Sequence, residues 1–200
     1  MNSKIIIFVL ALGVILGTAW VVQPFSDKAN LPKIISNEKP QGGNFTLNGI
    51  DGPKQLSDYK GKVVLLYFGY TYCPDICPTN LGNISLAYQQ LSQKQKDGVQ
   101  IIFVSVDPER DTPKRLQQYV NYFEANMIGL TSDAKTIAKV AKQYGVVYAK
   151  VEDSNNGTNY AVDHSAFTYV ITPDGKLQTQ LPHATSPDVF AKTIQEYENQ

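Results

Sequence analysis

The chain opens with a single cation, Lys4, and then runs uncharged from Ile5 to Val22 as "IIIFVLALGVILGTAWVV". As a helix that run is about 27 Å long, just enough for the hydrocarbon core of a bilayer. Trp20 stands where an interfacial aromatic belongs, and Lys4 keeps the leading end in the cytoplasm. Residues 1–22 are therefore expected to form a single-pass transmembrane anchor with the remainder of the chain outside the cytoplasm. Gly17-Thr18-Ala19 has the small-x-small form of a cleavage site, so a signal peptide is the competing reading of the same segment. Residues 23–42 are polar, rich in Pro, Gly and Asn, and without helical or alternating period, which predicts a flexible tether.

From residue 43 the pattern becomes that of a folded domain. Two short strand-like pieces, Asn44 to Leu47 and Gln55 to Leu56, flank the turn Asp51-Gly52-Pro53 and predict a leading hairpin. "KVVLLYFGY" from Lys62 is apolar almost throughout, as a central strand buried on both faces must be. Leu81, Ile84, Leu86, Tyr88 and Leu91 predict a helix from Pro78 to about Lys96. "VQIIFVSVD" is a second buried strand, and Thr112-Pro113 caps and opens a helix to about Phe123. "NMIGLTSD" returns to the sheet, and Asp133 opens a helix with Ile137, Val140 and Ala141 on one side. "GVVYAKVE", "NYAVDH" and "AFTYVITPDGKLQTQL" then alternate as strands, the last bent at Pro173-Asp174-Gly175, before a helix over Pro187 to Tyr197. Strand, helix, strand, helix followed by an antiparallel hairpin and a closing helix is the α/β order of a thioredoxin-like fold, a central mixed sheet flanked by helices over residues 43–200.

Charge narrows the partners. Eighteen basic and eighteen acidic residues cancel, and no run of Lys and Arg offers a footprint for a phosphate backbone, so nucleic acid is excluded as an expected partner.

The chemistry concentrates in "YTYCPDICPTN", which follows the central strand and holds Cys73 and Cys77, the only two cysteines. The start of a helix there places backbone N–H groups beside the thiols and favours thiolate. A spacing of four permits either a disulfide or two thiolate ligands. A purely structural bridge would close so short a loop that chain entropy returns only about 2 kcal/mol. Outside the bacterial cytoplasm the pair would oxidise unless reduced or metal-bound, so a redox couple and a metal clamp both stay open.

Any imidazole ligand must be His164 or His183. His164, in "YAVDHSAFTYVI", is expected at the start of a strand beside the central one, within reach of the cysteine loop, with Asp163 as a candidate outer partner. His183, in "LPHATSPD", reads as a surface or capping residue. Two thiolates and one imidazole make a three-coordinate soft site that suits Cu(I) and accommodates Cu(II), whereas zinc asks for a fourth ligand. "SVDPERDTPKRL" carries Asp107, Glu109, Arg110 and Asp111 on the same sheet edge. That loop is expected either to touch a ligand or partner or to pair its charges in solvent with Asp107 as a loop cap.

Three motifs in this order, "GKVVLLYFGYTYCPDICPTNL", "VSVDPERDTP" and "VDHS", resemble the SCO/SenC family from about Gly43 to the C-terminus. That resemblance implies a thioredoxin-like fold behind one membrane anchor, with the domain in the periplasm at the bacterial inner membrane. It implies Cys73, Cys77 and His164 as the ligands of one copper per chain. It further implies a metallochaperone that helps assemble the CuA centre of cytochrome c oxidase, with an oxidase subunit as copper acceptor and an upstream copper donor or thiol reductant. The alternative function is a thiol–disulfide oxidoreductase that keeps the acceptor's cysteines reduced, with Cys73 and Cys77 as redox thiols. A peroxidase of the same fold would need a further catalytic constellation around the pair, and none is visible. Tyr72, between the motif residues, is read as a rim contact with no ligand role.

Overall fold

The structure, a computed structural model, describes residues 40–152 and 160–198. The anchor expected over residues 1–22 and nearly all of the tether lie outside the described residues. Among the described residues no helix is long and apolar enough to cross a membrane.

The backbone of the domain is a five-stranded mixed sheet of order β5-β4-β3-β8-β9. Its strands are β3 (Val63–Gly69), β4 (Val99–Ser105), β5 (Met127–Leu130), β8 (Thr168–Ile171) and β9 (Leu177–Leu181). β3 runs parallel to β4 and antiparallel to β8, and β4 runs parallel to β5. With neighbours on both sides, every residue of β3 and of β4 is buried, which explains why both read as unbroken apolar runs. The leading hairpin forms from β1 (Thr46–Gly49) and β2 (Gly52–Gln55). It attaches to the end of β5 through mutual backbone hydrogen bonds of Asn48 and Thr131, at 2.7 and 3.0 Å. A separate antiparallel ribbon pairs β6 (Tyr148–Glu152) with β7 (Tyr160–His164).

The helices are α1 (Ile76–Gln90), α2 (Gln93–Asp97), α3 (Pro113–Asn121), α4 (Ala134–Gln143) and α5 (Pro187–Tyr197). Thr112 and Asp133 cap α3 and α4 as expected, accepting from the N–H groups of Arg115 and Thr136. The single helix expected from Pro78 to Lys96 is instead two. α1 ends at Gln90, and Ser92 starts α2 with a reciprocal capping box to Gln95. Leu86, expected on the apolar side with Leu81 and Ile84, lies on the outer face of α1 and is 53% exposed.

Phe68, Tyr144 and Tyr169 pack edge-on or tilted at 5.6 to 5.8 Å between ring centroids in the core. Tyr144 also donates its hydroxyl to the Gly43 carbonyl at 2.8 Å, and Gly42 N–H donates to Gln143 O at 3.2 Å. The domain therefore grips the chain from Gly42 onward.

Candidate metal centre

β3 and β4 are parallel, so both deliver their following loops to one edge of the sheet. After β3 come Tyr70, Thr71 and Tyr72, then Cys73, whose N–H donates to Tyr70 O at 3.2 Å. α1 starts at Ile76 with Asp75 as its N-cap, but the Asp75 side chain makes no capping bond. The Cys73 sulfur takes that place: it accepts from the Cys77 N–H at 3.4 Å, one of the donors a helix start leaves unpartnered. The cysteines are therefore not two positions on one helical face. Cys73 stands in front of the helix as a sulfur cap and Cys77 lies within its first turn.

Both thiols are free and buried. Cys77 is held against β3 at Gly69, where a Cβ would fall 2.5 Å from the Cys77 sulfur and 2.9 Å from the Phe103 ring. Only a residue without a side chain lets the first turn of α1 approach the strand this closely.

His164 does not open a strand of the main sheet. It ends β7, on the separate ribbon, and the chain reaches β8 only at Thr168. Because β8 is antiparallel to β3 and Thr168 lies opposite Tyr67, the approach to β8 crosses the edge that bears the cysteines. The His164 Nε2 lies 3.3 Å from the Cys77 sulfur, and its Nδ1 lies 3.2 Å from the Ser165 carbonyl oxygen. An Nδ1–H donated to that carbonyl leaves the Nε2 lone pair facing the thiols, the tautomer a metal ligand requires. The rings of Tyr67 and Tyr70 meet the imidazole edge-on at 6.2 and 5.9 Å. The outer partner of His164 is thus a backbone carbonyl; Asp163 is exposed and makes no hydrogen bond among the described residues.

The two sulfurs and the imidazole nitrogen all lie within 4.8 Å of one another. Electrostatics make the thiols unequal. Cys73 is held well below the ordinary thiol range, first by the hydrogen bond from the Cys77 side chain, with burial opposing and His164 and backbone N–H groups assisting. Cys77 is pushed up, first by the same bond and then by burial. The two thiols of the metal-free pair therefore titrate as a coupled unit, the bond between them favouring the thiolate at Cys73 and the thiol at Cys77. Two soft donors and one imidazole in a largely buried triangle fit a monovalent or divalent copper ion and lack the fourth donor of a closed zinc site.

Of the two alternatives open for the acidic loop, pairing of its charges in solvent does not describe the carboxylates of Asp107 and Asp111. Asp107 and Asp111 are 1% and 0% exposed. Asp111 accepts from the Thr71 N–H at 2.9 Å, the Thr71 hydroxyl at 2.5 Å and the Ser105 hydroxyl at 2.7 Å. It thereby braces the cysteine loop two residues ahead of Cys73. Arg115 completes the brace, donating to the Thr71 hydroxyl at 2.7 Å. Of the four charges, only Glu109 is a solvent pair, with Lys150 at 2.5 Å. Tyr72 is half exposed beneath the guanidinium groups of Arg110 and Arg115, at 4.6 and 4.0 Å from its ring centre, and provides no ligand. His183 is exposed, and Ser186 rather than His183 occupies the N-cap of α5.

Fold and site together define a class: a thioredoxin-like domain with a two-thiol, one-imidazole centre at the sheet edge. The model of the SCO1/SenC family matches residues 35–199. An SCO2-like protein of Rickettsia prowazekii is 36% identical over 98% of this chain and 95% of its own. The structure of Bradyrhizobium japonicum ScoI with copper bound superposes with a TM-score of 0.71 at 38% identity, covering 78% of this chain and 98% of that one. BsSco, a member of the Sco family of cytochrome c oxidase assembly proteins in which a disulfide switch has been identified, gives 0.60 at 27% identity over 80% and 95%. The chain belongs to the SCO1/SenC family.

Proposed function

We propose that this protein binds one copper ion between Cys73, Cys77 and His164 and passes it to an oxidase subunit during assembly of the CuA centre of cytochrome c oxidase. The observation that carries this reading is the approach of the three donor atoms to within 4.8 Å of one another. Family membership supplies the destination: the similar ScoI holds copper, and the Sco family to which BsSco belongs comprises oxidase assembly proteins. An acceptor's thiolates in this reading displace one ligand at a time, so the ion stays coordinated throughout the exchange. In this reading the segment Ile5 to Val22 anchors the protein in the inner membrane and the domain works in the periplasm, as its hydropathy and the leading Lys4 support.

A second reading has a specific observation behind it. A lowered Cys73 thiol beside a protonated Cys77 is the arrangement of a nucleophile and a resolving thiol. Cys73 would attack an acceptor disulfide and Cys77 would resolve the mixed disulfide, leaving the acceptor with two thiols and this chain with a Cys73–Cys77 bond.

Copper titration of the reduced full chain separates the two. The copper reading expects one equivalent per chain and a loss of affinity of about 100-fold or more in His164→Ala, roughly one ligand's share. Unchanged affinity in that variant removes His164 from the ligand set. Reduction of an acceptor disulfide, by contrast, needs both cysteines and survives the histidine change.

A further inference from the structure

The ligands of the proposed centre come from two separately built pieces, and one short loop touches both. Residues 107–111 face the cysteine loop through Asp111, which takes both donors of Thr71. They face the ribbon through Asp107, whose Oδ1 accepts the Tyr160 hydroxyl at 2.6 Å and whose Oδ2 accepts from Arg110 Nε. Arg110 reaches the same residue twice more. Its Nη1 donates to the Tyr160 carbonyl at 2.9 Å, and its guanidinium lies 3.6 Å over the Tyr160 ring. Tyr160 is the first residue of β7 and His164 the last.

We propose that Tyr160 is a positioning residue for His164: clamped to the 107–111 loop, it holds the β6–β7 ribbon at the angle that brings the imidazole to the cysteines. Among the described residues the ribbon pairs with no strand of the main sheet, and its two strands bond each other. At the His164 end its closing bonds, Ser165 N–H to Val147 O at 2.9 Å and Val147 N–H to the Ser165 hydroxyl at 3.0 Å, also stay within the ribbon. Four residue steps of strand lead from Tyr160 to His164, a lever of about 13 Å with both side chains on the same face. Val162, between them on the same face, is buried in the core, so the Tyr160 clamp and Val162 together set the direction in which β7 delivers His164, and a few degrees over that length move the imidazole by more than the tolerance of a metal–nitrogen bond. The inference rests on the copper-site reading for its consequence, but the positioning itself is a property of the metal-free protein.

The test uses that property. The full chain has only two histidines, and His183 is exposed and far along the sequence from the ribbon, so their ring protons form a two-signal spectrum with an internal control. In the reduced, metal-free protein the His164 ring protons, placed against Tyr67 and Tyr70, are ring-current shifted. Tyr160→Phe keeps the ring and removes the bond to Asp107; it is expected to move the His164 signals at least halfway toward the positions of His183, with those of His183 fixed. With Cu(II) added, the thiolate-to-copper absorption persists, the nitrogen hyperfine pattern becomes heterogeneous, and copper is released about tenfold faster. Arg110→Lys, which removes the two guanidinium contacts and spares the hydroxyl bond, moves the same signals in the same direction and serves where Tyr160→Phe does not fold. Unshifted His164 signals in a folded variant overturn the proposal, whether or not copper binds. Shifted signals in a protein that takes up no copper keep the positioning and sink the copper reading instead.

Discussion

The two halves of the centre are held by different physics. The cysteine half grows out of β3 and α1: its sulfurs are buried, Gly69 admits Cys77 to the strand, and Asp111 and Thr71 form an enclosed polar brace beneath the loop. The histidine half rides on a two-stranded ribbon whose outer side chains face solvent, with Val151 and Asp163 both exposed. A two-stranded ribbon has little stability of its own. The thiols are accordingly preorganised by the core, while the imidazole is brought to them by a clamp. If the site delivers copper as proposed, such a division serves it, because the ligand on the weaker support can leave first without disturbing the thiolates.

The strongest way to break the contrast is to attack the cysteine half through the core. Gly69→Ala places a methyl where the Cys77 sulfur and the Phe103 ring already stand. Overpacking of this kind costs about 1–3 kcal/mol, and here the yielding element is the first turn of α1. The expected outcome is a lower midpoint in urea together with loss of copper uptake, both from one methyl group that touches neither His164 nor the ribbon. Retained copper affinity in a destabilised Gly69→Ala protein would show that the thiols are not fixed by the strand.

A smaller effect distinguishes the halves through the thiolate. The Cys73 pKa is lowered, so Cys73 stays ionised, and reactive toward iodoacetamide, as pH falls below the ordinary thiol range near 8.5. The first cause is the bond from Cys77 and a lesser one is His164. In the metal-free protein the pH midpoint of Cys73 alkylation should rise most in Cys77→Ala, which removes that bond, and less in His164→Ala. A reversed order would mean that the ribbon, rather than the helix start, governs the thiol.

Much of the cysteine half was legible beforehand. An unbroken apolar run ending in "GYTYC" announces a central strand, and its partner strand, the two helix caps and the last hairpin all carry local signatures. His164 was identifiable by elimination and motif, but its place was not: "NYAVDH" and "AFTYVI" both read as strands, and only long-range pairing reveals that His164 ends β7 on a separate ribbon instead of opening a strand beside β3. The burial of the carboxylates was not legible for a related reason. Charged residues in a short loop pair in solvent far more often than they sink beneath it. The signal that was available is Ser105 at the end of a fully buried strand, which needs a partner there and finds it in Asp111. The break between α1 and α2 was also legible, since Ser92-Gln93-Lys94-Gln95 is a capping box inside an apparently continuous helix.

The smallest expected effect sharpens the comparison from the ribbon's side. Lys150 on β6 pairs with Glu109 at 2.5 Å and lies 4.6 Å over the Tyr160 ring, so it belongs to the same contact that Tyr160 and Arg110 make. Both charges of this pair are close to half exposed or more, 46% for Lys150 and 63% for Glu109, and an exposed pair contributes roughly 0–1 kcal/mol. Asp107, by contrast, is buried and offers Tyr160 an acceptor shielded from water. If burial decides which contacts hold the ribbon, Lys150→Ala should change the thermal midpoint by no more than about a degree and leave copper release within twofold of the parent. An effect as large as that of Tyr160→Phe would move the clamp from the buried carboxylate to the surface pair, and the division between a core-built half and a clamped half would have to be redrawn around β6.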